Sequence, residues 1–316
     1  MRIGLDVSGG DFAPESTLMS LPLLLPELGA KDRLVLFGNE TDMQLFLAEK
    51  KLYDDRLELV HAPDVITMND SPLKAFQHKR DSSIAVGFDW LRKGRVDGFA
   101  SAGNSGAMMV GSVYTINTIP GVIRPSSAVM IPKLDGGNTI LLDVGTNPDA
   151  KPDVLYQYGL LGSLYAEHVL NIDSPRVGLL NIGTEEKKGN LLVQSAFHLM
   201  KDATDYNFIG NVEGRDLFND KTDVVITDGF TGNVVIKQIQ AMYRLMEKQG
   251  ILNDYFSRFN YEKHGGSPII GVNAAVVIGH GISSPLAIKN MMRLVYEVSA
   301  SNLHLKIKKA IANYSK

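Results

Sequence analysis

Two short stretches carry the residue types that hold an anion. Ser101-Ala-Gly-Asn-Ser-Gly-Ala107 follows an apolar run and opens a helical pattern. Backbone N–H groups at such a helix start point outward, and the helix dipole favours negative charge there. Gly103 and Gly106 permit the turn, Ser105 is placed to cap the helix, and Asn104 to donate to an oxygen. Asp228-Gly-Phe-Thr-Gly-Asn233 repeats the layout after a second apolar run. Each alone is equally a tight strand-to-helix turn whose glycines serve geometry. Two in one chain point to phosphate or another oxyanion. Neither ends in Gly-Lys-Ser/Thr and neither reads G-x-G-x-x-G, so the phosphate loop of nucleotide hydrolases and the dinucleotide fingerprint are absent.

A third loop, Asn181-Ile-Gly-Thr-Glu-Glu-Lys-Lys-Gly-Asn190, combines carboxylates, a lysine pair, amides and glycine. Lys188 can neutralise phosphate or polarise a carbonyl oxygen there, whereas the plain reading is a solvated charged loop. His280 lies between two glycines after an apolar run, which makes it a candidate for proton transfer. His61, His78, His168, His198 and His304 read as scaffold. No His-x-x-x-His pair or carboxylate cluster has ligand spacing, so no metal is expected, and no G-x-S-x-G elbow appears. The chain has no cysteine, which excludes disulfides, thiolate metal sites and an acyl-cysteine intermediate.

Short β-rich runs alternate with helical patterns. Candidate strands are Arg2–Val7, Arg33–Phe37, Leu57–His61, Asp97–Ser101, Ser127–Ile131, Thr139–Asp143, Arg176–Asn181, Phe208–Gly210, Asp223–Thr227 and Ala274–Ile278. Several are apolar throughout, as expected of strands covered on both faces of a parallel sheet. Candidate helices are Thr41–Lys50, behind a capping Thr, then Ser82–Arg92, Asp153–Leu170, and one or two from Ser283 onward. The alternation predicts a doubly wound, mostly parallel α/β fold, read as a single domain over residues 1–316. Ligands of such sheets bind beyond the carboxyl ends of the strands. Seven Gly- and Asn-rich loops fall there, at Asp6–Asp11, Ser101–Gly106, Asp143–Asn147, Asn181–Glu185, Asn211–Gly214, Asp228–Asn233 and Gly279–Gly281, and are expected to line one site.

Ile236, Ile239, Met242, Tyr243 and Met246, then Ile251, Leu252, Tyr255, Phe256 and Phe259, make two apolar stripes. They predict an amphipathic helical hairpin over about residues 236–263, for core or dimer packing, a membrane surface, or an acidic carrier protein. The net charge is −3, with 21% charged residues and no block of like charges, which gives no reason to expect nucleic acid. The apolar stretch Leu21–Leu25 is far shorter than the roughly 20 residues of a spanning helix. With no leader pattern at the start, the chain is expected in the cytoplasm.

Taken in order, these motifs resemble the bacterial phosphate acyltransferases, the acyl-acyl-carrier-protein:phosphate transacylases. The likeness is carried by Met1-Arg-Ile-Gly-Leu-Asp6 with Gly9-Gly-Asp11, Ser101-Ala-Gly-Asn-Ser-Gly-Ala107, Leu141-Leu-Asp-Val-Gly145, Arg176-Val-Gly-Leu-Leu-Asn-Ile-Gly183 with Lys188-Gly-Asn190, Asn207-Phe-Ile-Gly-Asn-Val-Glu-Gly-Arg-Asp216, and Asp228-Gly-Phe230 with Gly232-Asn-Val234. The family usually reads Asp-Ala-Met-Gly-Gly-Asp where this chain has Asp6-Val-Ser-Gly-Gly-Asp11, a change that keeps small residues in the turn. The resemblance implies an α/β/α three-layer fold of the isocitrate-dehydrogenase and phosphotransacetylase type. It implies transfer of a fatty acyl group from acyl carrier protein to inorganic phosphate, giving acyl phosphate for phospholipid synthesis, without a cofactor. It further implies a homodimer and peripheral association with the inner membrane surface.

The expected catalytic residues are Lys188, His280 and Asn233. Phosphate and acyl binding are expected from Asp6, Gly10, Gly103, Asn104, Ser105, Gly106, Asn190, Glu213 and Gly232, with Asp6 and Asp11 orienting the site. Two other readings stay open: a phosphotransacetylase-like enzyme using acyl-coenzyme A, and a non-enzymatic regulator that binds lipid precursors.

Overall fold

The structure, a computed structural model, describes residues 1–314. Its strands are β1 (Arg2–Asp6), β2 (Arg33–Gly38), β3 (Leu57–His61), β4 (Gly98–Ser101), β5 (Ser126–Pro132), β6 (Asn138–Leu142), β7 (Arg176–Leu180), β8 (Asn207–Val212), β9 (Val224–Ile226), β10 (Ser267–Ile270) and β11 (Ala275–Ile278). The helices are α1 (Glu15–Leu18), α2 (Leu21–Leu24), α3 (Glu40–Glu49), α4 (Pro72–His78), α5 (Ser83–Arg92), α6 (Ser105–Gly111), α7 (Pro152–His168), α8 (Leu191–Met200), α9 (Gly229–Lys248), α10 (Pro285–Ala300) and α11 (Leu303–Tyr314). The chain divides into two units, Met1–Thr118 with Tyr261–Asn302, and Ile119–Asn260 with the segment from Leu303 onward.

The first unit's strands lie in the order β3-β2-β1-β4-β11-β10, all parallel except that β10 opposes β11. Side chains alternate along a strand, and β4 shows what that does. Phe99 packs against Gly87 of α5, while its neighbour Gly98 faces Val295 and Ser299 of α10. Helices therefore cover both faces, and the runs Leu34–Phe37 of β2 and Gly98–Ala100 of β4 can be apolar without interruption. Phe37, Phe88 and Phe99 meet edge to face, and Trp90 joins Phe37 at 5.6 Å. The Arg95 guanidinium covers the Trp90 ring at 5.3 Å.

The second unit has the order β5-β6-β9-β7-β8, parallel except that β5 opposes β6. Gly162 of α7 lies against Leu142, Val224 and Ile226. Leu141 and Val225 point the other way and pack with Val235, Ile236 and Ile239 of α9. Each unit is thus a sheet between helices, the three-layer architecture expected. At the amino ends of these strands, Lys133 Nζ and Arg176 Nε reach Asp223 at 2.8 and 2.9 Å, and both also bind Asp220.

Three local expectations change. Asn39 caps α3, not Thr41: its Oδ1 accepts from Thr41 N and Asp42 N. β10 adds a strand outside the candidate runs: Ser267-Pro-Ile-Ile270 is short and contains a proline, so its pattern is weak. The hairpin is replaced by a single helix, α9, followed by 3-10 turns at Phe256–Phe259 and Tyr261–Lys263. Gly250 at φ +67 ends the helical path, and Asn253 Oδ1 takes Phe256 N into a turn. Tyr255 and Arg258 then anchor on the carbonyls of Pro132, Lys133 and Gly137. The second apolar stripe thus serves β5 and the turn after it, with Phe259 against the Phe218 ring.

Candidate functional site

In the first unit, three strand-end loops join beyond the sheet. Asp6, at the end of β1, is fully buried and accepts from Ser8 N at 3.0 Å and Ser101 Oγ at 2.6 Å. Ser101 Oγ in turn accepts from Gly103 N at 2.9 Å, so the carboxylate fixes the Gly-rich turn through one serine. Gly279 N donates to Ser101 O and Asp11 N to Gly281 O, which brings in the loop after β11. Gly9 is required because a Cβ there would collide with Asp6 and stand 2.8 Å from Gly103 N. Burial pushes the Asp6 carboxyl up, and the hydrogen bonds from Ser101, Ser83, Ser8 and Gly9 only partly counter it.

Gly10, Gly103, Asn104, Ser105, Gly106 and His280 all belong to this cluster, with some roles altered. Asn104, rather than Ser105, caps α6, accepting from Ala107 N at 3.0 Å. Its amide donates to the carbonyls of Thr67 at 2.9 Å and Asp70 at 3.2 Å, so it holds a strap of chain and does not present a donor to a ligand. Lys79 Nζ grips the same strap at Val65 O and Asp70 Oδ2. Ser105 is exposed at the start of α6, and Gly106 lies against the Pro72 ring. The exposed polar side chain at this helix start is therefore that of Ser105, whose hydroxyl is a neutral donor of the kind an oxyanion accepts. His280 is exposed with its ring edge-on to Tyr261 at 5.4 Å.

The second unit makes two further groups. In one, buried Asp143 accepts from Ser127 N and Oγ at 3.0 Å, Val144 N at 2.8 Å and Asn147 N at 2.6 Å. Asn147 O accepts from Gly229 N, seating the start of α9 on this loop. Gly232 touches the Asp143 carbonyl, and the Asn233 amide nitrogen lies 2.6 Å from where a Cβ on Gly145 would stand. Asp228 caps α9 through Thr231 N and Thr231 Oγ1.

In the other group, exposed Lys188 rides a turn closed by its own N–H to Glu185 O. Asn181 Nδ2 holds Lys188 O, Asn211 Nδ2 holds Glu185 O, and Gln194 Nε2 holds Lys187 O and Gly189 O. Asn190 Oδ1 caps α8 by accepting from Val193 N. Glu213 caps the turn that follows β8 and pairs with Arg215. Asn190 and Glu213 thus hold helix starts, as Asn104 does. Lys188 and Asn233 lie beyond the carboxyl ends of the neighbouring strands β7 and β9. Ser101, Asp143, Asn147 and Asn211 lie inside the loops singled out from sequence, but residue type alone does not mark them as the hydrogen-bonded scaffold.

A family described as "Fatty acid synthesis protein" matches residues 1–250. A phosphate acyltransferase of Thermoanaerobacterium thermosaccharolyticum is 40% identical over 93% of this chain and 91% of its own. The phosphate acyltransferase of Halothermothrix orenii is 38% identical over 98% of both chains. Among solved structures, a phosphotransacetylase from Staphylococcus aureus superposes with a TM-score of 0.65 at 18% identity, covering 95% of this chain and 94% of the other. One from Streptococcus pyogenes gives 0.64 at 13% identity, covering 100% and 94%.

Proposed function

Because the chain belongs to the phosphate acyltransferase family, we propose that it moves a fatty acyl group from an acyl carrier protein thioester to inorganic phosphate, releasing acyl phosphate for phospholipid synthesis. The observation that carries this reading is the near-complete match to named phosphate acyltransferases, at 40% identity over 93% of the chain. A phosphate oxygen attacks the thioester carbonyl, the carbonyl oxygen becomes an oxyanion, and the C–S bond breaks as the carrier's thiolate leaves and takes a proton. No protein nucleophile is needed. Holding the dianion beside the carbonyl accounts for several kcal/mol of the barrier, and one oxyanion donor for about 3 kcal/mol.

The backbone of the Gly103–Gly106 turn, fixed by Asp6 and Ser101, is the phosphate-binding element in this reading. His280, in the same unit as this turn, gives the thiolate its proton; the second unit offers Lys188 as a neutralising cation and Asn233 as an oxyanion donor. The protein works in the cytoplasm as a homodimer in peripheral contact with the membrane; no described helix is long and apolar enough to cross one.

The fold shared with phosphotransacetylases favours one second reading, acyl-coenzyme A as the donor. Thiol release from long-chain acyl carrier protein, with and without phosphate, tests the assignment. Phosphate-dependent release with hydroxylamine-trappable product supports it. Release without phosphate means a thioesterase, turnover with acyl-coenzyme A alone means the second reading, and silence with both means a binding protein. Lys188→Ala is expected to lower kcat/KM by about a hundredfold, as for loss of one electrostatic group; near-normal turnover removes Lys188 from the mechanism.

A further inference from the structure

Three apolar side chains stand among the polar loops at the carboxyl end of the first unit's sheet. Phe12 is 59% exposed, Met68 50% and Ile282 39%. All three surround one hydrogen bond, from Asp11 N to Gly281 O at 2.7 Å. Phe12 and Ile282 are the next residues after its two partners, and the Met68 methyl lies 3.1 Å from where a Cβ on Gly281 would stand.

Their exposure is not that of loose loops. Met68 rides the strap that Asn104 holds at Thr67 O and Asp70 O, and that Lys79 holds at Val65 O and Asp70 Oδ2. Ser16 Oγ ties the segment after Phe12 to Ser283 O, just past Ile282. Asn104 also caps α6, so the strap and the Gly-rich turn are one hydrogen-bonded assembly.

Scattered exposed apolar residues need no explanation, but these three are pinned at the edge of the turn assigned to phosphate. The carbonyl that phosphate attacks must lie within bonding reach of that turn, and the group attached to the carbonyl is an apolar chain. We propose that Met68, flanked by Phe12 and Ile282, packs on the first methylenes of the acyl chain and sets the donor's chain-length preference. The unbranched, polarisable thioether adapts to a chain without fixed shape. Gly281 leaves the space in which Met68 lies down on the loop. The assignment rests on the acyl-transfer reading.

The test compares two-carbon thioesters of acyl carrier protein, which lack the contacted methylenes, with sixteen-carbon ones, using the whole chain and saturating phosphate. In Met68→Ala and Phe12→Ala, the ratio of kcat/KM for the long over the short donor is expected to fall roughly tenfold, the loss of contact to about two methylenes. Gly281→Ala, which crowds the Met68 methyl by a few tenths of an ångström without altering it, is expected to move the ratio the same way by less. An unchanged ratio in all three variants, or an equal loss on both donors, overturns the proposal. Wild-type protein inert toward both donors overturns the acyl-transfer reading, and the Met68 assignment with it.

Discussion

Asp6 is the residue on which the first unit's loops turn, and its chemistry has a thermodynamic signature. Its carboxyl is held above the ordinary carboxylate range, mainly by burial. The folded protein therefore binds this proton more tightly than the unfolded chain does. The associated stability is fully present at low pH and declines as pH rises from the unfolded value of about 4 through the raised folded value. Asp6→Asn removes that dependence. Measured by urea unfolding, its stability relative to wild type is expected to climb with pH across this window, by at most about 1.4 kcal/mol per pH unit. A flat difference would mean that Asp6 is ionised throughout. Asp6 reaches the Gly-rich turn only through Ser101, whose hydroxyl donates to it and accepts from Gly103 N.

At the scale of elements, the start of α9 is held by close backbone contact. A Cβ on Gly232 would collide with the Asp143 carbonyl oxygen, so Gly232→Ala must push the helix off its loop, at a cost of about 3 kcal/mol. Gly214 has open space and an ordinary φ, so Gly214→Ala is expected to stay within about 0.5 kcal/mol of wild type in the same denaturation assay. If the two variants lose equal stability, close packing at Gly232 is not what matters. The same contrast marks what could be read from sequence. Continuous apolar runs such as Leu34–Phe37 and Ile140–Leu142 exposed the strands, because burial on both faces leaves that pattern. Gly and Asn at the strand ends exposed the loops. Which asparagine serves only as a helix cap was not legible: Asn104, Asn190 and Asn233 look alike in sequence, yet Asn190 bonds only locally to Val193, Asn104 reaches across to Thr67, and Asn233 lies against Gly145. The second limb of the hairpin misled because its apolar residues have helical spacing, yet pack on β5 from 3-10 turns.

Across the whole molecule, the two ends of each sheet divide the labour, with ligand-type loops at the carboxyl ends and, in the second unit, charge pairing at the amino ends. Burial alone would raise Asp223, but hydrogen bonds from Arg176 and Lys133 overrule it and hold the carboxyl far below its usual range. The sign is opposite to that of Asp6. This stability is complete above the unfolded value of about 4 and is lost as pH falls through the depressed folded value. Arg176→Met leaves a buried carboxylate short of a partner and is expected to cost about 3 kcal/mol at pH 7, with a smaller further loss than wild type on acidification. Equal acid sensitivity in both proteins would place the acid-labile group elsewhere.

Trp90 is the chain's only tryptophan, and it lies half-buried in the first unit between Phe37 and the Arg95 guanidinium. Its emission is therefore an optical reporter of one unit, while far-ultraviolet ellipticity averages over all the helices and strands. Recorded together through a urea titration, coincident midpoints make the protein a single cooperative folding body. A fluorescence midpoint set apart from the ellipticity makes the first unit a separately melting half.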